Sequence, residues 1–173
     1  MFVITFSQLM IAITVLWIIT RTAVCIKNRN CSLANEAKML LVYVCIVVIS
    51  RMVYFPLHHI NGHIGTLPFD SSKPLWINLV PIVHLFDVYD GWLVNIIGNI
   101  TMFIPIGIVW PVCFEKLDTI GKTVLAGFGY TLLIELSQIP FYDRCTDVDD
   151  IILNTTGVVI GALIIFGIRK IKK

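Results

Sequence analysis

Residues 135–161 read ELSQIPFYDRCTDVDDIILNTTGVVIG. The stretch starts and finishes in strongly apolar sequence, yet it carries Glu135, Gln138, Asp143, Arg144, Asp147, Asp149, Asp150 and Asn154. Only 14% of the chain is charged, so a large share of its ionisable groups is gathered here. At membrane depth an ionisable group costs about 2.5–3.5 kcal/mol on insertion scales, so its presence there points to a role.

Composition puts the flanking sequence in a membrane. The chain has 173 residues, 57% of them hydrophobic, with a mean hydropathy of +0.88. A soluble domain is about 45–50% apolar and about a quarter charged. A bilayer-spanning helix needs about 20 mostly apolar residues. Working outward from 135–161, runs of that kind fall at about 149–168, 123–141, 92–114, 39–57 and 2–20. The expected fold is an all-α membrane protein, a bundle of about five transmembrane helices. LWINLVPIVHLF at 75–86 is apolar but too short to span, and is expected to lie at the interface or re-enter between the second and third spans.

Residues 1–38 are expected to form an anchor helix and a basic loop, and 39–173 the membrane core. No basic residue precedes the first apolar run, which argues for a retained anchor rather than a cleaved signal peptide. Pro105 and Gly107 suggest a kink in the third span, since proline removes a helix hydrogen bond. The five cysteines include no CxxC pair and do not read as a disulfide framework or a zinc site. No basic patch suited to nucleic acid is present.

Charge sets an expected orientation. Of the thirteen Lys and Arg residues, ten fall in 21–38, 115–122 and the C-terminal tail. The positive-inside rule puts these in the cytoplasm, with the N-terminus outside and the C-terminus cytoplasmic. Counted at 1.5 Å per residue, Arg51, Asn99, Glu135 and Asn154 then lie roughly 8–10 Å below the outer surface. Asn95, Gln138 and Asp150 lie slightly above them. Four helices thus contribute to one polar layer, expected to form an outward-opening pocket.

Each group has a plainer role beside the functional one. Arg51 and Glu135 could hold a polar ligand or shuttle a proton, or form an ion pair that fixes the bundle. One of Asp147, Asp149 and Asp150 is expected to cap the fifth helix, while all three together could hold a hard cation. Arg144 could grip an anion or pair with Asp147. Asn95 and Asn99 share a helix face and could cross-link helices. Asp150, Asn154, Gly157 and Gly161 share a face whose inner part is a GxxxG for close packing. His58, His59 and His63 read as solvated loop residues. The candidate ligand-binding set is Arg51, Asn95, Asn99, Glu135, Gln138, Arg144, Asp147, Asp150 and Asn154. No catalytic residue, metal or cofactor is assigned.

Two blocks resemble the VanZ-like family of small bacterial membrane proteins. One is NIIGNITMFIPIG, with Asn95, Gly98, Asn99, Phe103, Pro105 and Gly107. The other is 135–161, with Glu135, Gln138, Arg144, Asp147, Asp150, Asn154, Gly157 and Gly161. NLVP at 78–81 is a weaker echo. The resemblance covers about 78–161. It implies a cell-membrane protein linked to low-level resistance to teicoplanin, a lipid-tailed glycopeptide. The expected partners are membrane lipid and a lipoglycopeptide antibiotic or lipid-linked cell-wall precursor. Two other classes stay open: a membrane enzyme or transporter acting on a phospholipid or polyprenyl-linked substrate, and a helical scaffold for a partner membrane protein.

Overall fold

The structure, a computed structural model, describes residues 3–28, 32–55, 63–65, 77–82, 92–141 and 144–171. Among the described residues there are five helices, and the chain forms two compact units, one of Met1–Phe69 with Phe141–Asp143, the other of Asp70–Pro140 with Arg144–Lys173. Four helices are long and apolar enough to cross a membrane, so this is a multi-pass membrane protein.

In the first unit, β1 (Val3–Thr5) pairs antiparallel with β2 (His63–Gly65), and α1 (Phe6–Asn28) is followed by α2 (Leu33–Tyr54). The expected loop at 21–38 is thus largely helical. Charged residues with long side chains are good helix formers, so polarity there marks the end of the apolar span and not the end of the helix. Arg21 of α1 grips Glu36 of α2 with two guanidinium nitrogens, Nε at 3.0 Å from Oε2. Thr14 Oγ1 and Tyr43 OH share a hydrogen bond of 2.8 Å, and the rings of Trp17 and Tyr43 lie 5.7 Å apart. Cys25 is disulfide-bonded, although the scattered cysteines do not read as a disulfide framework.

In the second unit, α3 (Trp92–Cys113), α4 (Ile120–Gln138) and α5 (Val148–Ile171) pack together, most extensively α3 on α5. Two short strands, β3 (Ile77–Asn78) and β4 (Thr146–Asp147), pair in parallel. Within the apolar segment 75–86, only 77–82 are described, as β3 and a bend.

Buried positions on α3 are Phe103, Ile106, Gly107 and Pro111, and on α5 they include Leu153, Asn154, Gly157, Val158, Gly161 and Ala162. Spacings of three and four put each set on one helix face. Where the faces meet, glycine is required. A Cβ on Gly107 would stand 2.7 Å from the Ala162 backbone N, and one on Gly161 would stand 2.9 Å from the Gly107 Cα. A Cβ on Gly157 would press into the Ile100 carbonyl oxygen. The GxxxG of α5 therefore seats α3, as its close-packing role anticipates. α3 runs through Pro105 and Pro111, and Gly107 serves the contact with α5.

α3 and α5 run parallel, because Asn99 meets Asp150 near their starts and Arg169 meets Pro111 near their ends. α4 runs antiparallel to both and packs chiefly on α5. Gly127 faces Val158, Thr131 meets Asn154 and Glu135 meets Asp147. Its buried face carries Thr123, Thr131, Glu135 and Gln138, while Leu125, Leu133 and Leu136 are exposed. Thr119 caps its start, its hydroxyl accepting from the Lys122 N–H at 3.3 Å.

Candidate functional site

The polar groups collect where α4 ends and α5 begins. Glu135, one turn before the end of α4, is only 2% exposed, and its Oε2 accepts the Asp147 N–H at 3.0 Å. The Thr146 hydroxyl donates to the Glu135 carbonyl oxygen at 3.1 Å. Both bonds pull the returning chain onto α4 and aim α5 back along it.

Asp147 is the cap of α5, its Oδ1 accepting from the Asp149 N–H at 2.9 Å. Its charge also suits the positive helix start. The same oxygen accepts from Asn78 Nδ2 at 3.0 Å, so β3 is tied to the cap by side chain as well as backbone. Asp149, buried, accepts the Ile82 N–H at 2.8 Å. Ile82 sits at φ 72°, which is strained for a β-branched residue, and the carboxylate holds that turn. Of the three aspartates, one therefore caps and one braces a turn. The third, Asp150, accepts from Asn99 Nδ2 of α3 at 2.6 Å, and Asn99 also donates to Asn95 Oδ1 at 3.1 Å.

Asn154 lies one turn further into α5. It is 2% exposed, and its Nδ2 donates to Thr131 Oγ1 at 2.8 Å, while its Oδ1 accepts no hydrogen bond from the described residues. Sequence depth placed Asn154 level with Glu135, but contacts put it level with Thr131, one turn of α4 away. Gln138 is buried on the Glu135 face of α4, and Arg144 is half-buried just before β4.

Arg51 belongs to the first unit, where its guanidinium lies over the Phe6 ring, 5.2 Å from the centroid. Glu135 belongs to the second. His58 and His59 lie outside the described residues, as does the side chain of His63. The structure thus draws Asn99, Glu135, Asp147, Asp150 and Asn154 into one helical unit, with Asn95 on its exposed side, joined through Asn99.

Three participants escaped the sequence reading as site residues: Asn78, Thr131 and Thr146. Asn78 begins the NLVP echo. Thr131 precedes Glu135 by one turn and belongs to the polar stripe of α4, a signal visible in the spacing. Thr146 belongs to a two-residue strand, too short to show a period.

Chemically, the cluster is rich in acceptors. The described bonds to its carboxylates come from backbone N–H and amide groups. Carboxylate oxygens have lone pairs left for ligand hydroxyl, amide or ammonium donors. Among the described residues, no group of three His, Cys, Asp or Glu side chains is placed to hold a metal ion.

No curated protein and no solved structure matches the chain. A family model described as VanZ/LLP1 matches residues 39–169, which take in most of α2 and α5, all of α3 and α4, and the whole polar cluster. By that match the chain belongs to the VanZ/LLP1 family.

Proposed function

We propose that this protein lowers bacterial sensitivity to teicoplanin-type lipoglycopeptides by holding the drug, or a lipid-linked cell-wall precursor, at the Glu135–Asp147–Asp150 cluster. One observation carries the proposal. Carboxylates from α4 and α5 and amides from α3 and β3 converge in a unit whose outward faces are apolar. A ligand with a lipid tail and a polar, donor-bearing head complements that arrangement. The family membership agrees with it.

In this proposal α4 crosses the membrane with α3 and α5, giving five crossings, because two parallel neighbours need a returning segment between them. The charge asymmetry puts the N-terminus outside and the C-terminus in the cytoplasm, so the cluster opens outward. Gln138, Arg144 and Asn154 flank it.

The test is expression in a sensitive Gram-positive host, with inhibition by teicoplanin and by vancomycin measured side by side. Wild type should protect against teicoplanin. Glu135→Gln and Arg144→Ala should abolish protection at unchanged membrane levels. Absence of protection by well-expressed wild type would refute the function. Full protection by a normally inserted Glu135→Gln would refute the site.

A further inference from the structure

The opposite ends of α3 and α5 enclose a second feature. A cavity of about 790 Å³ lies there, between the last turns of the two helices and the loop after α3. That volume falls in the range of about 300–1,000 Å³ typical of sites for one small ligand. Its wall is apolar, with Val112 of α3 and Ile165 of α5. Its mouth is charged, with Glu115, Asp118, Arg169 and Lys170.

These charges do not satisfy one another. Arg169 Nη2 donates to the Pro111 carbonyl oxygen at 2.8 Å, and its guanidinium lies over the Phe166 ring at 5.1 Å. It is thereby held in place with most of its five donors unspent. Asp118 takes Lys122 Nζ at 2.7 Å. Among the described residues, no carboxylate pairs with Arg169 or Lys170 and no cation pairs with Glu115. One mouth therefore offers two cations and a carboxylate that remain available to a ligand.

We infer that this cavity binds one phospholipid whose headgroup carries both a phosphodiester and a primary ammonium. The phosphodiester meets Arg169 and Lys170, and the ammonium meets Glu115. An acyl chain lies along the apolar wall. Charge complementarity selects a zwitterion, and the position of the mouth at the ends of two membrane-spanning helices selects a lipid over a soluble metabolite. The site is separate from the carboxylate cluster, since Arg169 lies 15 residues, about four turns, beyond Asn154.

The full chain, purified in detergent, would be incubated with micelles holding equal amounts of phosphatidylethanolamine, phosphatidylcholine and phosphatidylglycerol. Retained lipid would be counted by native mass spectrometry. Phosphatidylethanolamine should be retained about two- to fivefold over each competitor, the range that one partly exposed ion pair supplies. Glu115→Gln should bring it down to the level of phosphatidylcholine. Lys170→Gln should lower phosphatidylethanolamine and phosphatidylglycerol together. Both side chains are exposed and make no described bond, so an unchanged thermal midpoint will certify the fold. Stronger retention of phosphatidylglycerol, unaltered by Glu115→Gln, would overturn the ammonium assignment. Equal retention of all three lipids with no effect of either variant would overturn the site. Displacement of the lipid by an equal concentration of water-soluble phosphoethanolamine would overturn the role of the apolar wall.

Discussion

Gly107→Ala isolates the contact on which the second unit is built. A Cβ at Gly107 would stand 2.7 Å from the Ala162 backbone N and 2.9 Å from the Gly161 Cα, and would press harder still on the Val158 carbonyl. Ordinary contact begins at 3.4 Å, so the helices must part by at least the difference from 2.7 Å, or 0.7 Å. Every obstacle is α5 backbone, so no side chain can turn aside to relieve the clash. Overpacking a close contact costs about 1–3 kcal/mol. Alanine returns about 0.5–1 kcal/mol through its lower chain entropy in a helix. The net loss should be roughly 1–2 kcal/mol, which lowers the thermal midpoint by about 2–8 °C at this chain length.

Gly98 supplies the control on the same helix. A Cβ there meets nothing within 4 Å, so Gly98→Ala should raise the midpoint slightly. The two variants would be purified in one detergent and their unfolding followed by intrinsic fluorescence and by retention of monomer after heating. Opposite signs are expected. Equal midpoints would refute the close approach of α3 and α5, and with it the placement of Asn99 against Asp150.

The other predictions concern the cap, the amide bridge and the orientation. Asp147→Ala removes both the α5 cap and the acceptor for Asn78, and should cost about 1–2 kcal/mol in the same assay, most of it recovered in Asp147→Asn. Asn99→Leu strips Asp150 of its amide donor, and the Asn99→Leu/Asp150→Leu double variant should be more stable than Asn99→Leu alone, because it leaves no orphaned carboxylate. If the double variant is the less stable, the bridge at 2.6 Å is not the bond that matters. Partial burial and the Asp147 carboxylate push the Cys145 thiol up, so less of it is thiolate at neutral pH. Its alkylation by a membrane-impermeant maleimide should be slow at pH 7 and quicken as pH rises. Labelling of intact cells at Cys145 is expected from the proposed orientation.

Much of the fold is legible because span length and apolar content are one-dimensional properties. All five helices overlap the apolar runs that suggested them, and the GxxxG of α5 announced a close neighbour. Depth is also one-dimensional. Arg51 and Glu135 come out at equal depth, but depth fixes one coordinate of three, and a pairing needs the other two. Gly107 shows a related limit. Its position after Pro105 suggests a kink, whereas its purpose depends on Val158, Gly161 and Ala162, more than fifty residues away. β3 and β4 have two residues each, and no period can be read from two residues.

The candidate site and the fold share their bonds. Within a bilayer, lipid tails are as apolar as leucine, so helices gain little from burying apolar faces against each other. α4 follows that rule, with leucines outside and Thr123, Thr131, Glu135 and Gln138 inside. Its described hydrogen bonds to the chain beyond it run from Thr131 to Asn154 and from Glu135 to Thr146 and Asp147. Removing Glu135 by alanine would therefore remove a fastening as well as a charge, and loss of protection would say nothing about ligand binding. Glu135→Gln keeps an oxygen that can accept the Asp147 N–H while deleting the charge. Asp150→Asn does the same towards Asn99. Only variants of that shape-preserving kind can separate holding a ligand from holding the bundle together. Protection lost in both at an unchanged thermal midpoint would assign the charge to the ligand.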